Sequence, residues 1–158
     1  MPNAAPYEER KAQVEAFLKS KHAISLATSQ DDHVTVRTIS FACRALEIVF
    51  LTFDHSLKCK QIRANPNVAL CRDNVQIEGK AEILGTASDP EKASYADLLR
   101  TSYPGSFQAD ASRVGMVIVR VIPEIVKVFR AEGTDYLVDT LDLEKATLST
   151  TSLADRES

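Results

Sequence analysis

The spacing of apolar positions changes several times along the chain, and each change marks an element. Over residues 7–22, Tyr7, Val14, Phe17 and Leu18 share one stripe at helical spacing while charges fill the opposite face, which predicts an amphipathic helix. Residues 23–28 (AISLAT) predict a first strand, 29–32 (SQDD) have turn composition, and the chain should return from Val34 as the second strand of a hairpin. Residues 46–53 (LEIVFLTF) are almost continuous in β-branched and aromatic side chains, as in a strand buried on both faces. A short strand over 68–71 precedes a cleanly alternating one over 75–84. In the latter, Val75, Ile77 and Ala81 take one side and Gln76, Glu78, Lys80 and Glu82 the other. Ser88-Asp89-Pro90-Glu91 reads as a helix start with a capping residue and an early proline. That helix should run to Arg100 and end before the loop Tyr103-Pro104-Gly105-Ser106-Phe107, where an ordinary connection and a lid over a site are both open readings. Two further strands, 116–122 and 126–129, are separated by Pro123, which suits a bend or a sheet edge.

Six or seven strands with two or three helices make a mainly β domain. Short connections favour antiparallel pairing, and this many strands in a small domain favour a barrel or a sandwich. Residues 1–138 are expected to form the domain. Residues 139–158, rich in Ser, Thr and charge, read as a tail that packs poorly or is only partly ordered. In HVTVRTISF the apolar parity shifts from Val34 and Val36 to Ile39 and Phe41. Either a bulge between Arg37 and Thr38 or a passage from one-sided to two-sided burial accounts for the shift.

Composition narrows the function classes. A chain of 158 residues, 44% apolar, can bury one full core. The net charge of −3 exerts no long-range pull on nucleic acid or anionic lipid, so any anion site must be local. Six per cent aromatic content without tryptophan offers no base-stacking surface. No apolar run approaches the roughly 20 residues of a membrane helix, and MPNAAPYEERKAQ has no hydrophobic signal region. A cytoplasmic protein without nucleic-acid or membrane partners is therefore expected. Cys43, Cys59 and Cys71 form no CxxC pair and have no His at ligand spacing, so neither a metal site nor a disulfide framework is expected. No GxGxxG or Walker-type loop is present.

The candidate chemistry lies in FLTFDHSLKCKQIRANPNVAL, residues 50–70. An apolar strand runs into a turn at Asp54 and His55, and then into a basic segment carrying Ser56, Lys58 and Lys60. Such a segment is either a solvated helix with ordinary surface charge or the wall of an anion site. An Arg fork and a Lys ammonium beside a helix N-terminus can neutralise a phosphate monoester through charge-assisted hydrogen bonds. Lys60 would lie about 200° around the helix from Lys58 and point elsewhere. His33 and His55 sit in turns, where histidines are ordinarily solvated, and no catalytic residue is assigned.

The ordered series Val36-Arg37-Thr38-Ile39-Ser40-Phe41, Phe50-Leu51-Thr52, Ser56-x-Lys58, Asn65-Pro66-x-Val68 and Val75-x-Ile77-x-Gly79-x-Ala81 resembles the pyridoxamine 5′-phosphate oxidase-like superfamily of FMN-binding split β-barrels. The resemblance spans residues 10–130 and implies an antiparallel split barrel. It implies that Arg37 reaches the FMN phosphate, that Thr38, Ile39 and Ser40 run along the flavin ring, and that Leu51 and Thr52 touch the cofactor. Ser56 and Lys58 would complete the phosphate cradle, and Asn74 or Gln76 would come from a second protomer, so that FMN lies at the interface of a homodimer.

The implied activity is a flavin-dependent oxidoreductase moving hydride between NADH or NADPH and a small-molecule substrate. The alternatives are a non-catalytic flavin or haem carrier and a deazaflavin-dependent reductase. Two departures argue against the vitamin substrate itself. Phe41-Ala42 stands where pyridoxamine-phosphate oxidases carry a Lys, and nothing after Val138 resembles their Arg-containing C-terminal segment. Leu57, where many relatives have a second basic residue, leaves the cradle one cation short.

Overall fold

The computed structural model describes residues 4–154. Its helix α1 (Ala4–Lys19) lays Tyr7, Val14 and Leu18 into the core, as the stripe predicts. The hairpin of β1 (Ala23–Gln30) and β2 (His33–Ser40) turns on Asp31 and Asp32, both at positive φ, the geometry that matches the twist of the two strands. After β3 (Ala42–Arg44) and β4 (Glu47–Phe53) come α2 (Leu57–Ala64), β5 (Asn67–Arg72) and β6 (Val75–Thr86). A 3-10 turn at Pro90–Lys92, whose start is capped by the Asp89 carboxylate accepting from the Glu91 N–H, leads into α3 (Ala93–Ser102) and α4 (Pro104–Ala111). The long β7 (Met116–Glu132) and the hairpin of β8 (Asp135–Asp142) and β9 (Thr147–Ser152) complete the described chain.

All strand pairs are antiparallel, in the order β2-β1-β5-β6-β7-β4-β3, with β8 and β9 branching from β7. The sheet curls until β2 approaches β4 without joining it in a ladder, which is the split of a split barrel. Ile24, Leu26, Phe50, Ile77 and Val119 fill its interior, with Cys59 and Ile62 of α2 packed among them. A second cluster forms on the far side of β4 and β7, where Val49 and Ile118 meet Ala96, Leu99 and Phe107 from α3 and α4. The strand read as buried on both faces is therefore β4, one face in the barrel and the other under the helices.

Four expectations change. The segment from Asp139 is not a loose tail: it continues β8 and returns as β9, with Leu141 fully buried and Asp139 only 1% exposed. Asp139 is held there by Arg10 at 2.8 Å, Arg130 at 2.9 Å and Thr150 at 2.6 Å, partners on α1, β7 and β9. A domain boundary at Val138 would cut β8 in half, and residues 155–158 lie outside the described chain. Secondly, of the two readings left open for β2, the bulge is excluded. Its register with β1 is unbroken from Ala23↔Ser40 to Gln30↔His33, so Thr35, Arg37 and Ile39 turn inward while Val34 and Val36 stand 68% and 67% exposed.

Thirdly, residues 104–111 are helical rather than a loop or lid. Phe107 is buried in the second cluster, and the Tyr103 hydroxyl sits within hydrogen-bonding reach of the His22 and Phe41 carbonyls, tying α3 to the start of β3. Fourthly, Pro123 lies inside one continuous strand. Pairing of β7 with β4 ends at Val121 and pairing with β8 begins at Ile125, so the missing N–H falls between two ladders. Opposite it, Gly79 sits at a register shift where a Cβ would come within 2.4 Å of the Ile122 carbonyl oxygen. Only a glycine fits that approach.

Candidate functional site

The split between β2 and β4 gathers the polar side chains of the barrel. Alternation along β1 (Ile24, Leu26, Thr28) turns Thr28 inward with the apolar residues, and the same period on β2 brings Thr35 and Arg37 to the same side. The Arg37 guanidinium donates from Nη1 to Thr28 Oγ1 at 2.7 Å and to the Leu26 carbonyl at 3.2 Å, and from Nη2 to Thr35 Oγ1 at 2.6 Å. Both threonine hydroxyls donate in turn to Oε1 of Gln61, at 2.5 and 2.7 Å. Gln61 belongs to α2, one turn beyond Lys58, so this network ties the arginine of the hairpin to the helix that carries the lysine.

Lys58 donates to Thr52 Oγ1 at 2.9 Å from the first turn of α2. Burial is the larger cause of its lowered pKa, and the positive charge of Arg37 is the next. Burial also lowers the pKa of Arg37, which nevertheless stays charged at any ordinary pH. Two cations thus stand within electrostatic reach of each other, and among the described residues neither is paired with a carboxylate. Asp54 is drawn off by Arg63, whose guanidinium binds both its carboxylate and its carbonyl.

Ser56 caps α2, its hydroxyl oxygen accepting from the Cys59 N–H at 3.5 Å, which leaves the hydroxyl proton available. The cap does not consume the earliest N–H groups of the helix, the groups that ordinarily bind anions. Thr52, an acceptor toward Lys58, likewise keeps a proton to donate.

The structure thus brings Arg37, Thr52, Ser56 and Lys58 into one neighbourhood. Thr38 and Ser40 are exposed on the outer side of β2, whereas the side chain of Ile39 is in the core and that of Leu51 packs toward α3 and α4. Asn74 lies in the β5–β6 turn, where its amide donates to the Phe129 carbonyl at 2.8 Å. Gln76 is on the outer sheet face, beside Ser25, Ala27, Val36 and Ala69. His33 contributes a carbonyl to Gln61, and His55 stacks on Phe53. Lys60 is exposed on the other side of α2. Thr28, Thr35 and Gln61 join this neighbourhood through Arg37, and the sequence reading passed over them. The inward parity of Thr28 was visible, but its partner lies 33 positions away.

Among the described residues, no helix is long and apolar enough to cross a membrane and no cluster of His, Cys, Asp and Glu could hold a metal.

The fold recurs in solved structures. A pyridoxamine 5′-phosphate oxidase-related, FMN-binding protein from Nostoc punctiforme PCC 73102 shares 15% identity, over 92% of this chain and 94% of that one, with a TM-score of 0.58. General Stress Protein 26 from Bacillus anthracis str. Sterne shares 18% identity over 74% and 91%, at a TM-score of 0.59. HutZ, the haem storage protein of Vibrio cholerae, shares 12% over 72% and 89%, at 0.62. At such identities the likeness speaks for the fold. No curated protein matches the chain in sequence. The family model described as pyridoxamine 5′-phosphate oxidase matches residues 11–129, the whole barrel from α1 to the second half of β7, and the chain belongs to that family.

Proposed function

We propose that this protein binds FMN in the split between β2 and β4 and works as a flavin-dependent oxidoreductase. The observation that carries the reading is that Arg37 and Lys58 feel each other's charge while, among the described residues, neither is paired with a carboxylate. A pair of like charges in a half-buried corner is costly on its own and favourable around a phosphate monoester. The Ser56 and Thr52 hydroxyls and the first turn of α2 supply neutral donors of the kind a phosphate accepts from. Beyond Arg37, Thr38, Ile39 and Ser40 continue along the same strand and would offer backbone groups to the flavin ring. When bound, the flavin supplies hydride transfer, here between NADH or NADPH and a small acceptor. The pyridoxamine-phosphate reaction itself is not proposed, because Phe41, where those enzymes carry a Lys close by, is 1% exposed and apolar.

The reading includes a homodimer. Val34 and Val36 stand on the outer face of the sheet beside the small side chains Ala27, Ser25 and Ala69. This face includes the outer side of the strand that bears Arg37, and a second copy laid on it would bring Asn74 or Gln76 toward the first copy's flavin. An absorbance scan of the purified protein, followed by titration with FMN, tests the cofactor. The expected result is a yellow protein or a saturable FMN complex. A protein that neither arrives with flavin nor takes it up ends the proposal, and an intense Soret band would make it a haem protein instead. Oxidation of NADH or NADPH by the loaded protein then separates an enzyme from a carrier.

A further inference from the structure

The side-chain amide of Gln61 touches no solvent-facing charge, yet it decides which way Arg37 presents its donors. Its Nε2 donates to the His33 carbonyl at 3.3 Å, which turns Oε1 toward the two threonines. A threonine hydroxyl has one proton, and both protons go to that oxygen. The lone pairs of Thr28 and Thr35 are then the only groups these hydroxyls can offer Arg37, and they accept one N–H from each terminal nitrogen. With the Leu26 carbonyl, three of the five guanidinium N–H donors are held inside the barrel. Thr28 Oγ1 and Thr35 Oγ1 lie 3.4 Å apart and so face the Nη1–Nη2 end together, which leaves Nε–H and the second Nη2–H on one edge, and among the described residues nothing accepts from them.

We infer that Gln61 is a positioning residue for anion recognition, acting through Thr28 and Thr35 to aim the Nε–Nη2 edge of Arg37 at the phosphoryl group. A carboxylate in its place would also orient the arginine, but it would neutralise the charge the ligand needs. The amide fixes direction and leaves the full positive charge in place. Gln61, 1% exposed on a helix whose other buried residues are Cys59 and Ile62, is a polar group set among core side chains for this purpose.

The inference rests on the phosphate reading above, and the test separates the two. Dissociation constants for FMN and for riboflavin, which lacks the phosphate, are measured by flavin fluorescence on wild type, Gln61→Met and Thr35→Val. Their ratio isolates the phosphate contribution and cancels a general loss of folded protein. The wild type should prefer FMN, and each variant should lose about tenfold of that preference, the scale of one charge-assisted hydrogen bond, with riboflavin binding unchanged. A wild type that binds both flavins equally overturns the phosphate reading and this inference together. A wild-type preference that survives within about threefold, less than one such bond, in Gln61→Met leaves the phosphate reading standing and overturns the role of Gln61. Thr35→Val decides the matter in the same way if Gln61→Met does not fold.

Discussion

Arg37 lies close enough to Lys58 for its charge to help push the lysine's pKa down. The sign has two consequences. In the ligand-free protein the charged lysine costs stability. That cost is present below its lowered folded pKa and lifts as pH rises toward the ordinary value of 10.5. In the complex the order reverses, because a phosphate favours the protonated amine. FMN affinity should therefore fall as pH rises, beginning below the range of a solvated lysine, and binding in that window should take up a proton. Calorimetric titrations in buffers of different ionisation enthalpy measure the uptake. Affinity that stays flat to beyond pH 10, with no proton uptake, would remove Lys58 from the site.

Truncation sorts the cations of the segment. Arg37→Ala and Lys58→Ala should each weaken FMN binding by about 1–3 kcal/mol, the range of hydrogen bonds to charged groups. Lys60→Ala, on the exposed side of α2, should leave the titration unchanged. Equal losses for Lys60 and Lys58 would mean that the protein's general field, rather than a built cradle, attracts the ligand.

The carboxylate of Asp139 makes a prediction independent of any ligand. Burial opposes its charge, but hydrogen bonds from Arg130 and Thr150 and the charges of Arg10 and Arg130 outweigh burial and hold its pKa below the ordinary 3.8. A depressed folded pKa contributes stability that is fully present above the unfolded value and is lost as pH falls through the folded one. Asp139→Asn should lower stability by about 2–3 kcal/mol at neutral pH, somewhat under the cost of breaking a fully buried pair because both arginines keep some solvent. The deficit should shrink in acid. Thermal melts from pH 7 down to about pH 3 would show the two curves converging, and parallel curves would refute the account.

These same residues mark how much was legible in the sequence. Period and turn chemistry suffice for α1, the β1–β2 hairpin, β4 and β6, because each buries an apolar face that recurs at a fixed spacing. Residues 135–152 escaped because their composition is polar, and Asp139 is buried only through partners on α1, β7 and β9. The two cations were legible from their neighbours in sequence. The network that aims one of them was not, since Thr28, Thr35 and Gln61 meet only once the hairpin packs against α2. Val34 and Val36 misled for another reason: their parity is regular, but the face they occupy is outside the barrel.

That outer face carries the last prediction. Two valines at 68% and 67% exposure, on a strand that among the described residues has no partner along its other edge, are costly in water and prone to unwanted pairing unless something covers them. A second copy of the chain would cover them and at the same time complete the surroundings of the flavin. Val36→Asp should therefore yield a monomer by light scattering, and it should weaken riboflavin as well as FMN, because the ring loses its second wall. Arg37→Ala, by contrast, should weaken FMN alone and leave the dimer intact. The opposite pattern, a wild type that stays monomeric with FMN bound and a Val36→Asp variant that binds flavin normally, would place the whole flavin site within one chain and leave the valine face without a role in it.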